Sequence, residues 1–241
     1  MTTTLCLDFG NTLCKAALFI NDEIHEIIVL SENIEEEIKN LLLKHKPDYS
    51  ILSSVINHNH EIENIIKEHT LLHKISQKSN LPFTIHVGKS ETIGADRLAL
   101  CAAAVQLFPK KNNLIIGMGT CITYNFINLN HQFLGGSVSP GLEMRFQSMH
   151  HQTALLPLVK MDWNFPLIGY DTKTNLLSGV AMGICKELEG MMSAYEEKFD
   201  HLNILLTGGN TLHFAPLLKK RIFADPHLIF KGLYAISNCN K

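Results

Sequence analysis

Asp8-Phe9-Gly10-Asn11-Thr12 closes the first apolar run of the chain, and Gly117-Met118-Gly119-Thr120 closes a second one far downstream. TLCLDFG is followed by two more strand-like runs, LCKAALFI and EIHEIIVL, with Gly10-Asn11 and Asn21-Asp22 as polar punctuation between them. After the second stretch the order repeats: NNLIIGMGT, then ITYNFINL, then QFLGGSVS. In each case a glycine turn stands after the first of three strands, and helices come next. The echo predicts a duplicated α/β fold of mixed sheets flanked by helices, with lobes at 1–93 and 94–241 facing a cleft.

The segments between the strands fit that plan. Ile34, Ile38, Leu41 and Leu42 have helical spacing, which predicts a helix from Ser31 to Lys44 with Ser31 as its N-cap and Pro47 as its stop. YSILSSV reads as a strand, His58 to His69 as a helix, and FTIHV as a short strand. ADRLALCAAAVQLF is a helix of small residues that can pack closely on a neighbour. Further helices are expected at 140–153 and 174–198, then the strand NILLTGG and two terminal helices. No low-complexity linker divides the halves.

Bulk properties narrow the function. The 241 residues suffice for two lobes of roughly 100–130 residues each. Apolar residues make up 46% and charged residues 18%, an ordinary globular balance. A net charge of −2 offers no basic field for nucleic acid. No run approaches the roughly 18–20 apolar residues of a membrane span, and MTTTLCLDFGNT lacks the features of a secretion signal. The six cysteines contain no C-x-x-C pair and several sit in apolar runs, which points to reduced core thiols in the cytosol. The thirteen histidines, His58 with His60 and His150 with His151 among them, lack carboxylate or cysteine companions at ligand spacing.

Four stretches carry candidate chemistry. A strand ending in Asp-x-Gly-x-Thr turns tightly at Gly10 and can present backbone N–H groups to a phosphate. Asp8 would then hold Mg²⁺ through water, Thr12 would offer a hydroxyl and Lys15 a point charge; a plain hairpin with a solvated aspartate is the alternative. In Gly94-Ala95-Asp96-Arg97, the Arg97 fork suits a carboxylate, and Asp96 could accept a hydroxyl proton. Equally, Asp96 could complement the helix dipole beside a surface arginine. Gly135-Gly136-Ser137 and Ser139-Pro140-Gly141 form a flexible turn into a helix. Thr207-Gly208-Gly209-Asn210 leaves bare backbone against which an adenine could lie, or simply turns the chain. The apolar helix around 176–192 reads as core or subunit interface.

The order of these stretches is more specific than any one of them. DFGNT with Lys15, SSV at 53–55, GADR at 94–97, GTCITYNF at 119–126, GGSVSPGLEMR at 135–145, HQTALLPLV at 151–159, IGYDT at 168–172 and LTGGN at 206–210 together resemble type III pantothenate kinase along essentially the whole chain. That family belongs to the acetate and sugar kinase, Hsp70 and actin superfamily, so the resemblance implies actin-like (ribonuclease H-like) lobes. It also implies transfer of the ATP γ-phosphate to pantothenate, the first step of coenzyme A synthesis, in a cytoplasmic homodimer. By resemblance Asp8, Gly10, Asn11, Thr12, Lys15, Thr120, Gly208 and Gly209 bind ATP, and Gly94, Ala95, Asp96, Arg97 and Thr172 bind pantothenate. Thr172 would act from the partner subunit or nearby. Asp96 would be the general base, Arg97 would face the substrate carboxylate, and Mg²⁺ and a monovalent cation, K⁺ or NH₄⁺, would accompany the nucleotide.

Three positions depart from the family pattern. The acid expected at the second loop is Gly117, which removes the carboxylate of the monovalent-cation site. An aspartate further on is Asn125, and a tyrosine expected to line the pantothenate pocket is Val87. Two hypotheses follow: a kinase with altered cation dependence, or a weakened or inactive homologue that serves as a regulatory or binding protein.

Overall fold

The computed structural model describes residues 2–31 and 33–241. Met1, ahead of the first expected strand, and Glu32, inside the helix expected from Ser31, lie outside the described residues. Apolar runs make three strands: Thr3–Phe9 (β1), Cys14–Ile20 (β2) and Glu23–Leu30 (β3), an antiparallel meander. Asn21 and Asp22 join β2 to β3 with φ of 48° and 72°. Positive φ at both central residues is what a two-residue hairpin between right-twisted strands requires.

Tyr49–Ser54 (β4) and Leu71–Lys74 (β5) extend this sheet, β4 pairing parallel to β1 and β5 parallel to β4, in the order β3-β2-β1-β4-β5. Ile34–His45 (α1) connects β3 to β4, and His60–His69 (α2) connects β4 to β5. Helix α1 starts at Asn33 rather than at the expected cap Ser31. The Ser31 N–H instead donates to the Glu37 carboxylate at 3.0 Å, as does its hydroxyl. A charged acceptor outcompetes the backbone cap. Leu5, Leu7, Leu52, Ile38, Leu42, Ile62 and Ile66 form the core on this face.

After Thr84–Ile85 (β6) come Ala95–Leu107 (α3) and the second set of strands, Asn112–Met118 (β7), Cys121–Ile127 (β8) and Gln132–Pro140 (β9). Leu142–Gln152 (α4) and Thr172–Lys198 (α5) follow, then Leu202–Thr207 (β10), Thr211–Phe214 (α6), Phe223–Ala224 (β11) and Leu228–Cys239 (α7). The second sheet has the order β11-β10-β7-β8-β9-β6. Counting strands within each set, both sheets read fifth, fourth, first, second, third, so the duplication expected from the sequence is present in the strand order. Helix α5 begins two residues before its expected start. Asp171 caps it by accepting from the Thr174 N–H at 2.7 Å, while the Asp171 N–H donates to the Thr174 hydroxyl at 3.1 Å.

Packing groups the chain into two compact units: residues 1–110, 127–135 and 227–241 in one, and 111–126 with 136–226 in the other. These packing units have other limits than the lobes 1–93 and 94–241. In the first unit α7 lies on β1 and β4 and packs along α3. A Cβ on Gly232 would fall 1.8 Å from the Ala99 carbonyl oxygen, so that helix pair meets backbone to backbone. In the second unit Ile116, Tyr124, Phe146, Leu177, Ile184, Leu188, Leu206 and Phe214 share a core.

Candidate active site

In the first unit, Asp8 sits near the end of β1. Lys15 is its antiparallel partner on β2 and Ser53 its parallel partner on β4. The Ser53 hydroxyl donates to Asp8 Oδ1 at 3.2 Å. Gly10 turns the chain, its N–H donating to the Leu13 carbonyl at 3.1 Å, and a Cβ there would crowd the same oxygen at 3.2 Å. Asn11 and Thr12 stand exposed at the tip. Asp96 occupies the first turn of α3, whose N-cap is Gly94. A Cβ on Gly94 would lie 2.4 Å from Asp96 Oδ1, so the glycine makes room for that carboxylate.

The two carboxyl groups sense each other. Burial, then the Asp96 charge, push Asp8 up to about 6, against the Ser53 hydrogen bond and the Lys15 charge. Burial also raises Asp96, partly offset by its hydrogen bond from the Arg97 N–H and by the guanidinium charge. Both residues keep part of their surface open to solvent. An acid of raised pKa in an accessible place is a proton acceptor tuned towards neutral pH. Arg97 lies over the Phe133 ring, 5.8 Å from its centroid, which steadies the guanidinium. Val87 approaches Gly135, where a Cβ would stand 3.4 Å from Val87 Cγ1.

Asp8 suits a divalent cation on these grounds. Its ionised form is disfavoured by burial and by a neighbouring carboxyl, and a hard cation relieves both penalties.

The second unit holds the other candidates. Gly119 and Thr120 form the turn between β7 and β8, with the Gly119 N–H donating to the Cys121 carbonyl at 3.1 Å. Gly141 presses on that turn: its N–H donates to the Thr120 carbonyl at 3.0 Å, and a Cβ would come within 2.4 Å of the Gly119 and Thr120 oxygens. Gly208, at φ +103°, lies against Met118, whose carbonyl a Cβ would meet at 2.4 Å. Gly209 has open space at its Cβ position. Gly117, Thr120 and Gly208 thus cluster where β7 and β10 end, Gly117 being the register partner of Thr207. Thr172 is exposed at the start of α5.

The position where the resemblance puts a monovalent cation has few side-chain oxygens to offer. Gly117 brings no oxygen from a side chain. Asn125 is wholly buried, and its amide donates to the Ile115 carbonyl at 3.3 Å and the Thr123 hydroxyl at 3.2 Å. A carboxylate in that place could not replace the bond to the Ile115 carbonyl, because both groups only accept, whereas the Thr123 hydroxyl could turn and donate to it.

Two contributors escaped the sequence reading. Ser53 lies in the SSV stretch, but only the β1–β4 pairing brings it to Asp8. Glu187, on α5, gathers Tyr124, Ser139 and Arg145 at one carboxylate.

Two sheets of one strand order, each with a glycine turn after its first strand, define a duplicated α/β fold of the actin-like class, and its first unit carries an aspartate pair beside a lysine and an arginine. The comparisons with known proteins agree. A family model described as type III pantothenate kinase matches residues 4–194. A protein of Christiangramia forsetii named type III pantothenate kinase is 41% identical over 239 residues, covering 98% of each chain. One of the same name from Flavobacterium psychrophilum is 38% identical, covering 95% of this chain and 96% of its own. Among solved structures, a conserved Baf family protein from Campylobacter jejuni, described as a candidate transcriptional activator, matches with a TM-score of 0.62 at 21% identity over 98% of both chains. A glucokinase from an Antarctic psychrotroph matches with a TM-score of 0.53 at 10% identity over the whole of both. The structures speak for the fold alone. The chain belongs to the type III pantothenate kinase family.

Proposed function

We propose that this chain transfers the γ-phosphoryl group of ATP to the hydroxyl of pantothenate, giving ADP and 4′-phosphopantothenate at the first step of coenzyme A synthesis. Family membership supplies the substrates, and the observation that carries the chemistry is Asp96. It is a carboxyl of raised pKa on the first turn of α3, held beside Arg97.

Asp96 takes the hydroxyl proton as the substrate oxygen forms its bond to the γ-phosphorus and the bond from that phosphorus to the ADP oxygen breaks. Arg97 holds the pantothenate carboxylate with its planar fork, and Gly94 and Ala95 leave space beside it. Gly10, Asn11 and Thr12 offer backbone N–H groups and a hydroxyl to the phosphates, with Lys15 as point charge. Thr120 adds a hydroxyl contact, and Gly208 and Gly209 leave bare backbone for the adenine. Asp8 would hold Mg²⁺ through water, and that ion, when bound, offsets charge on the transferring phosphoryl oxygens. Catalysis is then mainly positioning and electrostatics.

A specific monovalent cation has no place in this reading, given Gly117 and the committed amide of Asn125. Thr172 contacts pantothenate, from its own or the partner subunit, in a homodimer. Support for the homodimer comes from Leu155, Leu167, Ile168 and Tyr170, large apolar side chains 93%, 72%, 83% and 81% exposed on the approach to α5. A monomer mass by light scattering contradicts the homodimer. The site of action is the cytoplasm, where ATP is abundant; no helix among the described residues is long and apolar enough to cross a membrane.

Coupled ADP release tests the proton acceptor. Asp96→Asn is expected to lower kcat at least about a hundredfold, the lower range for general-base catalysis, with ATP binding retained. Turnover within twofold of the parent removes Asp96 from that role.

A further inference from the structure

One carboxylate in the second unit ties together three segments that converge on the Gly119-Thr120 turn. Glu187 Oε1 accepts from the Tyr124 hydroxyl of β8 at 2.9 Å and from the Ser139 hydroxyl near the end of β9. Its Oε2 accepts from Arg145 Nη2 on α4. The same guanidinium donates through Nε to the Pro140 carbonyl at 2.9 Å. The turn at Pro140 and Gly141 is therefore held from both sides, by Ser139 before it and by Arg145 one helical turn after it. Gly141 is the residue whose N–H donates to the Thr120 carbonyl at 3.0 Å and whose missing Cβ allows that approach.

The chemistry of the four groups fits a brace. Tyr124, Ser139 and Arg145 can all donate, and a single ionised carboxylate accepts from the three at once. Tyr124 is buried on β8, the strand that leaves the turn just after Thr120, so the brace reaches the turn from its β8 side as well. Partial burial of Glu187 opposes its charge, but Ser139, Arg145 and Tyr124 outweigh that and hold it ionised.

We infer that Glu187 and Arg145 are positioning residues that set the placement of Thr120 for the nucleotide phosphates, acting through Pro140, Gly141 and Tyr124. This rests on the kinase reading of the Gly119-Thr120 turn. Neither residue touches the reacting atoms in this assignment. Loss of the brace shifts the turn and weakens nucleotide binding, while pantothenate, held at the start of α3 and by Thr172 at the N-terminal end of α5, far from Glu187, is unaffected.

The test uses the full chain, with ATP affinity measured by calorimetry in Mg²⁺ and KM measured separately for ATP and pantothenate. Arg145→Met is expected to raise Kd and KM for ATP about tenfold, leaving KM for pantothenate within twofold. The double variant Arg145→Met/Glu187→Leu removes the stranded charge and recovers much of the lost melting temperature, yet its ATP affinity stays weakened. Arg145→Lys keeps the charge but loses the fork, and recovers part of the ATP affinity. Should Arg145→Met not fold, Arg145→Lys and Tyr124→Phe carry the comparison, each expected to raise Kd for ATP about two- to fivefold. ATP affinity that returns with melting temperature in the double variant, or equal rises in KM for both substrates, overturns the positioning role. If the parent binds ATP but phosphorylates nothing, the kinase reading fails and the binding measurements still decide this one; a parent that binds no ATP overturns both.

Discussion

Asp8 carries opposing demands. As a cation ligand it must ionise, yet burial and Asp96 raise its pKa from 3.8 to about 6. Because the folded value lies above the unfolded one, its contribution favours the folded state fully below pH 3.8 and is lost as pH rises through about 6. Two pH units correspond to about 3 kcal/mol, which screening at a partly open site reduces to about 1–2 kcal/mol. Asp8→Asn, which still accepts from Ser53, should therefore melt higher than the parent at pH 8 and alongside it at pH 3.5, without ligands. Equal differences at both pH values count against the raised pKa. Gly117 and Asn125 make the second prediction at this scale. With Mg²⁺ present, exchanging K⁺ for Na⁺ or a bulky organic cation should change kcat/KM less than about twofold. Gly117→Asp with Asn125→Asp should introduce a K⁺ requirement. A parent that is silent without K⁺ shows that other groups hold the ion.

At the scale of elements, α3 and α7 meet backbone to backbone at Ala99 and Gly232. Gly232→Ala drives a methyl into the Ala99 carbonyl and should cost at least about 1–3 kcal/mol, seen as a melting temperature several degrees lower. Gly190→Ala, on an exposed helical position with open space, should instead stabilise by about 0.5–1 kcal/mol. A parallel response of the two variants contradicts the close approach. The small-residue character of α3 announced a close neighbour, but nothing in the sequence said that the neighbour was α7. The long strands and helices were legible because their apolar periods run over many residues. Leu71–Lys74 and Phe223–Ala224 were not, because strands so short are created by the strand beside them, β4 and β10. The cap of α1 was misplaced for a related reason: Ser31 finds a carboxylate six residues on, a choice made by side-chain geometry.

Across the whole molecule, the repeated strand order answers to the two glycine turns from which the duplication was read. Local motifs marked Asp8, Lys15, Asp96 and Arg97 as candidates, since each stands in a short contiguous stretch. Ser53 and the Glu187 cluster were illegible because their partners come from strands and helices distant in sequence, Glu187 lying 63 residues from Tyr124. The family pattern likewise marked Gly117 and Asn125 as departures, but only the folded chain shows Asn125 committed to two acceptors inside β8 and its neighbour. What the sequence left as two hypotheses is a question of turnover. The most direct measurement incubates the purified chain with ATP, pantothenate, Mg²⁺ and K⁺, and quantifies ADP and 4′-phosphopantothenate together by mass spectrometry. Phosphoryl transfer from ATP to pantothenate predicts the two products in equal amounts, and no ADP above background when pantothenate is left out. Binding of pantothenate with neither product formed, or ADP released without phosphopantothenate, contradicts it.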